Sequence, residues 1–223
     1  MAVYDLEEQE QLDELKTWWK QYGNLVTVLV LAVSVSVVGW QGWNWWQRNQ
    51  AGQASVIYAA VERAAAEHDA RKAREATSEL IDKFSGTSYA GMAALLSSKL
   101  QLEAGDSKTA KLHLGWAAEN ARGNELRDLA LLRLAAVLLE EKAYDEALKQ
   151  LANEPASAFA PRYAELRGDI FAVQGKQEEA RAAYQAALAK FDEAQKSSGS
   201  DQRRGQYRDL LQVKLESLGS KKP

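Results

Sequence analysis

Cysteine is absent from the 223-residue chain. This excludes a disulfide framework, a cysteine-ligated zinc or iron-sulfur site and a thiol nucleophile. Histidine is nearly absent as well: His68 and His113 are the only two imidazoles, too few for a His-rich metal cluster. Three prolines and 14 glycines rule out collagen-like or proline-rich disordered chains and favour long helices. No two glycines are spaced as Gly-x-Gly, so the dinucleotide fingerprint is missing, and there is no Walker-type loop. An excess of positive charge is also lacking. The formal net charge is −3, against the basic face from which a nucleic-acid binder draws its affinity.

What is present is unevenly spread. Six of the seven tryptophans lie between Trp18 and Trp46. The 27 residues between Lys20 and Arg48 carry no formal charge, and Leu25 to Val38 reads LVTVLVLAVSVSVV. A helix over Leu25 to Trp46 would be about 33 Å long at ~1.5 Å per residue, close to the ~30 Å hydrocarbon layer of a bilayer. Trp18, Trp19 and Tyr22 precede this stretch and Trp40, Trp43, Trp45 and Trp46 end it, the arrangement of two interfacial aromatic belts. A cleavable signal peptide needs a basic leader and a small-x-small site just past its apolar core. Here the first 20 residues hold six acidic and two basic side chains, and tryptophans stand where the site should be. The reading is therefore a signal anchor over 24–46, with an acidic tail over 1–23 in the cytoplasm and 47–223 exported. Lys16 and Lys20 on one side and Arg48 and Arg63 on the other do not decide orientation by the positive-inside rule. The short tail and long C-terminal region favour a single-pass type II arrangement. Within the span, Ala32, Ser36, Gly39 and Trp43, with Gly42 alongside, form a candidate packing face for another transmembrane helix.

The exported region is rich in Ala, Leu, Glu, Lys, Arg and Gln and shows no period-2 run, which predicts an all-α domain. It also repeats. In PRYAELRGDIFAVQGKQEEARAAYQAAL, from Pro161 to Leu188, Gly168 lies inside a first helix and Gly175 closes it. Ala180, Tyr184 and Ala187 share one face of a second helix. This is the tetratricopeptide pattern of small and large residues at a close helix crossing. Stepping back from Ala180 reaches Ala147, Ala110 and the weaker Ala73 at intervals of 33, 37 and 37 residues. Four helix pairs over about 52–191 are expected, Pro155 and Pro161 falling in a loop. A break at Ser197-Ser198-Gly199-Ser200 follows, then a closing helix from about Asp201 to Leu218.

The opening VYDLEEQEQLDELKTWWKQYGN, which runs directly into the span, and the segment LRGDIFAVQGKQEEARAAYQAAL resemble the ancillary subunit of the bacterial Sec translocon, the YfgM-type family. The resemblance covers nearly the whole length. It implies an inner-membrane protein with a periplasmic tetratricopeptide-like domain. The implied partners are Sec translocon subunits, a membrane-anchored periplasmic chaperone of the prolyl-isomerase type, and emerging exported polypeptides. It implies no catalytic residue and no cofactor or metal.

The residues agree on the absence of chemistry. Glu7-Glu8, Glu140-Glu141 and Glu178-Glu179 fall on expected helix exteriors or turns, His68 at a turn, and His113 in the helix of Leu112 and Trp116. A binding surface is the better candidate. In a tetratricopeptide array the first helix of each pair lines a groove, and counting from the anchor alanines puts Tyr58, Met92, Leu95, Leu102, Leu129, Leu132 and Leu139 there. The helix expected from Glu125 to Lys142 is apolar on two sides. Leu131, Leu134 and Leu138 suit the core, while Leu129, Leu132 and Leu139 are either buried against a neighbour or form an exposed patch. An inner-membrane adaptor is the leading expectation. The alternative is a regulator acting through the acidic tail, where Leu6, Leu12 and Leu15 share one short amphipathic face.

Overall fold

The computed structural model describes residues 4–196 and 202–219, and side chains over 11–194 and 205–219. Among the described residues there are nine helices and no strand. The chain divides into two compact units, Met1–Gln50 and Ala51–Pro223.

In the first unit every described residue belongs to α1 (Tyr4–Ala66), which also contributes to the second unit. Its apolar stretch is long enough to cross a membrane, and Val28, Leu29, Leu31, Val35 and Val38 are all exposed. In water that display would be costly; in a bilayer the same side chains are solvated by lipid. The polar groups within it are satisfied locally: Ser34 donates to Val30 O and Ser36 to Ala32 O, each at 2.8 Å. Such internal pairing is what hydrocarbon requires. The aromatic clusters stand at either end, Trp18 against Tyr22 at 5.8 Å and Trp43 against Trp46 at 5.3 Å between ring centroids.

The second unit begins with the last turns of α1, followed by α2 (Ala70–Phe84), α3 (Ser88–Glu103), α4 (Ser107–Asn120), α5 (Asn124–Glu140), α6 (Tyr144–Gln150), α7 (Ala160–Val173), α8 (Gln177–Lys196) and α9 (Gln202–Ser217). α3 packs on α4, α5 on α6 and α7 on α8, and the last turns of α1 share an apolar cluster with α2 and α3 as the first helix of the remaining pair. The four anchor alanines, Ala73, Ala110, Ala147 and Ala180, are completely buried, each in the second helix of its pair. The turns are more regular than the sequence suggests. His68, Gly105, Lys142 and Gly175 all have left-handed backbone, with φ of 54°, 81°, 64° and 77°. Each stands five residues before its anchor alanine, so turns and anchors share one spacing. Each turn is closed by the same two bonds. For the first they are His68 N to Ala65 O (3.1 Å) and Asp69 N to Ala64 O (2.9 Å); for the last, Gly175 N to Ala172 O (3.1 Å) and Lys176 N to Phe171 O (2.9 Å). These are the paired bonds of a Schellman C-cap. Asp69 and Asp106 then cap the next helix by accepting from Lys72 N and Thr109 N at 3.0 Å, each cap worth about 1 kcal/mol.

Two apolar clusters run through the pairs. One joins Ala54, Val61 and Ala64 to Leu80, Ala93 and Leu100; the larger joins Leu114 to Leu134, Leu138, Leu151, Tyr163 and Ile170. Full burial of a residue such as Leu114 or Ile170 contributes about 1.5–3 kcal/mol. The closest crossing is at Gly168, where a Cβ would lie 2.5 Å from the Tyr184 ring, so glycine is required there by contact. Pro155 lies in the irregular 151–159 segment as expected. Pro161, expected in a loop, instead occupies the first turn of α7, where the amide it lacks would have no helical partner. α6 has only seven residues. It stops just before Asn153-Glu154-Pro155, where the pre-proline residue disfavours helix. The Ser197 to Ser200 break lies outside the described residues, as do Asp201 and the side chain of Leu6.

Candidate functional site

The first helices of successive pairs neighbour one another, α3 against α5 and α5 against α7. Between α5 and α7 they leave a cavity of about 340 Å³. Its apolar side comes from Leu129, Leu132, Ala136 and Leu166, and its polar side from Arg133, Arg162, Glu165 and Asp169. The doubly apolar character of α5 creates it. Ala130, Leu134, Val137 and Leu138 face the core and are buried, while Leu129 and Leu132 are half-buried at the edge of that cluster and also line the opening. Each of these leucines is thus half-buried against the core cluster and also borders the cavity.

The remaining groove candidates are dispersed. Leu139 is half-buried at the end of α5. Leu95 is only 5% exposed and its side chain belongs to the core. Met92 is half-buried in α3, and Leu102 is exposed near the end of that helix. Tyr58 stacks beside Tyr89, 5.5 Å between centroids. Burial, with Glu62 and Tyr89 nearby, pushes its hydroxyl pKa up. Along the span, Ala32 and Ser36 border a shallow recess of about 350 Å³ that also includes Trp40, and a Cβ on Gly39 or Gly42 would meet nothing within 4 Å.

Polar residues outside the sequence expectation define one end of the α5–α7 cavity. Lys214 of α9 donates to Glu165 Oε1 at 2.8 Å and to Asp169 Oδ1 and Oδ2 at 2.7 and 2.8 Å. Tyr207 donates to Glu165 Oε2 at 2.9 Å, Tyr184 to Asp169 Oδ1 at 2.8 Å, and Arg162 to Glu165 Oε2 at 3.1 Å while lying over the Tyr207 ring. Burial alone would raise the Glu165 carboxyl; its bonds with Lys214 and Tyr207 and the charges of Lys214 and Arg162 hold it below the usual carboxylate range. Burial pulls Lys214 the other way, but Asp169 and Glu165 keep its ammonium above its ordinary value. α9 packs on α8, and Leu211, wholly buried, forms a small cluster with Ala164 and Ala187. The closing helix is therefore tied to the α7 residues at the edge of the cavity through charge as much as apolar area. Glu165 and Asp169, four apart in one helix, were a signal available in the sequence. Their cation, 45 or more residues away, was not.

Among the described residues no group of three or more His, Asp or Glu is arranged to hold a metal ion. His113 is buried in α4 and its Nδ1 has no hydrogen-bond partner among the described residues. Burial, followed by the charge of Arg74, holds its pKa below the ordinary value despite Asp106, so it is a neutral packing group.

Paired helices with buried alanine anchors and equivalent turns define a tetratricopeptide-like helical-repeat protein, and the family model for the tetratricopeptide repeat-like domain matches residues 16–220. Relatives narrow the class. An ancillary SecYEG translocon subunit of Neisseria gonorrhoeae is 34% identical over 98% of this chain and all of its own length. Its counterpart in Haemophilus influenzae is 31% identical over 87% of this chain and 92% of its own, and that of Escherichia coli 25% over 84% and 90%. The chain belongs to the family of ancillary SecYEG translocon subunits with a tetratricopeptide repeat-like domain.

Proposed function

We propose that the protein is a non-enzymatic adaptor of the bacterial inner membrane. It associates with the Sec translocon through its single span and presents the helical-repeat unit to partners in the periplasm. The acidic tail 1–23 is cytoplasmic, 24–46 crosses the bilayer, and 47–223 is periplasmic. Emerging polypeptides engage the α5–α7 cavity and pass to a membrane-anchored chaperone of the prolyl-isomerase type. The observation that carries this reading is the cavity itself, an apolar recess with Leu129, Leu132 and Leu166 in its lining and charged groups beside it. Such a surface suits a polypeptide better than a reaction. The names of the relatives support the translocon as the place of work, and exposed aliphatic residues between tryptophan clusters support the anchor. Ala32, Ser36, Gly39 and Gly42 are proposed to let a neighbouring membrane helix approach closely.

A photocrosslinking amino acid at Leu132, in the full chain in its own membrane, tests the proposal. Expected products contain an exported polypeptide or a periplasmic chaperone, while Lys149, exposed on α6, should capture neither. Equal labelling from both positions would refute the cavity as the contact. Orientation is tested separately, because the chain has no cysteine: a membrane-impermeant thiol reagent should modify Gln206→Cys from the periplasm and leave Gln11→Cys untouched.

A further inference from the structure

Arg133 stands alone among the charged groups of the α5–α7 cavity. It is half-buried, it lines the same cavity as Leu129, Leu132 and Leu166, and its one hydrogen bond among the described residues runs from Nη1 to Leu95 O at 3.1 Å. No carboxylate among the described residues comes within ion-pairing distance of it. The two acidic groups of the cavity are already engaged, Glu165 by Lys214 and Arg162, and Asp169 by Lys214. With Lys214 reaching both carboxylates from α9, three cations share two carboxylates, and among the described residues Arg133 is the one left unpaired beside the apolar lining. A guanidinium has five donors in a planar fork that matches a carboxylate, and burial without an anion works against its charged form. Leu95 O would keep a partner if Arg133 left, since Ser98 Oγ also donates to it at 2.8 Å. The bond to Leu95 thus does not explain why a cation interrupts the leucines of ALLRLAAVLL.

We infer that Arg133 is a carboxylate-recognition residue, and that the α5–α7 cavity binds polypeptide segments in which an internal Asp or Glu adjoins a bulky apolar residue. This rests on the polypeptide-binding reading above and sharpens it to a class of ligand. The apolar side chain fills the recess against Leu129, Leu132 and Leu166, and the neighbouring carboxylate pairs with the Arg133 fork. An internal acid can adjoin a bulky apolar residue on either side, which a chain-terminal carboxylate cannot, so it best matches a fork set among leucines. The selectivity this produces is for mixed acidic and apolar segments over purely apolar or basic ones.

Fluorescence anisotropy with the full-length protein in nanodiscs tests it, using labelled peptides with the core Leu-Glu-Phe, Leu-Gln-Phe or Leu-Lys-Phe. A charge-assisted bond in a sheltered site corresponds to a preference on the order of tenfold for the glutamate peptide over the glutamine one. The lysine peptide should bind weakest. Arg133→Gln should erase the preference, Arg133→Lys should restore only part of it, and Leu132→Ala should weaken all peptides alike. If the wild type binds the three peptides equally and Leu132→Ala weakens them, carboxylate recognition is overturned and the cavity remains a polypeptide site. If none binds, or if Leu132→Ala changes nothing, the cavity reading falls with it. The wild-type comparison needs no substitution, so a poorly folding Arg133→Gln protein does not shelter the inference.

Discussion

Replacing Gly168 by alanine adds a single methyl group, yet it should loosen the last helix pair. The added Cβ would sit 2.5 Å from both Cδ1 and Cε1 of Tyr184, where carbon atoms at rest stand about 3.5–4.0 Å apart. Relief requires a movement of about 1 Å, and the ring has little room for it. Tyr184 is 3% exposed and its hydroxyl is fixed to Asp169 at 2.8 Å, which in turn holds Lys214 of α9. Overpacking of this kind costs about 1–3 kcal/mol, here toward the upper end. Alanine returns about 1 kcal/mol through its better helix propensity. The net loss is about 2 kcal/mol, and at about 2–4 °C per kcal/mol for a domain of 150–250 residues the melting temperature should fall by about 4–8 °C. Thermal melts followed by far-ultraviolet circular dichroism, on the full chain in mild detergent, would measure it. Adding Tyr184→Leu to Gly168→Ala supplies the control. Removing the ring alone destabilises, but in its absence the extra methyl should cost nothing, so the pair is strongly non-additive. An unchanged or raised melting temperature for Gly168→Ala would refute the claim that this crossing depends on the missing Cβ.

Further expectations concern the turns, the closing helix and acid. Lys142 holds φ at +64° where two equivalent turns use glycine, so Lys142→Gly should stabilise by about 1 kcal/mol and Gly175→Ala should destabilise by a similar amount in the same melts. Lys214→Met leaves Glu165 and Asp169 without their shared cation and should cost about 2 kcal/mol, read as faster hydrogen exchange confined to α9 and the facing turns of α7. The Glu165 pKa is depressed on folding, so its contribution is complete above its unfolded value of about 4.3 and disappears as pH falls through the lower folded value. Lys214 is raised, and its contribution holds below about 10.4 and disappears as pH rises through the higher folded value. Docking of α9 should therefore weaken at both extremes. His113 is depressed as well, hence stability should decline as pH drops below about 6.5, and His113→Leu should flatten that decline in denaturant midpoints between about pH 7 and 5.

How far the sequence reached depended on whether the physics was local. The fold class was legible because burial of Ala73, Ala110, Ala147 and Ala180 follows from a period that can be counted along the chain. Gly175 announced its turn, since glycine adopts positive φ without penalty. His68 and Lys142 occupy the equivalent turns and announced nothing. Their backbone is imposed by the helices on either side and the paired C-cap bonds, not by residue type. Of the groove candidates, Leu129 and Leu132 meet in one cavity while Leu95 turns into the core. Counting residues along a helix finds a face, but only the neighbouring helix decides which part of that face is covered.

By itself the sequence determined the partition of this protein. A charge-free stretch edged with tryptophan sets a membrane-compatible segment apart from an alanine-anchored helical array, because hydrophobicity and helical period are properties of the chain. The missing cysteines and near-missing histidines removed whole classes of chemistry through composition alone. Only the tertiary structure decided where charge would meet charge. Glu165 and Asp169 find Lys214 across 49 and 45 residues, while Arg133 finds no carboxylate among the described residues. Ion pairing acts through distance in space, and distance in space is what the folded backbone supplies.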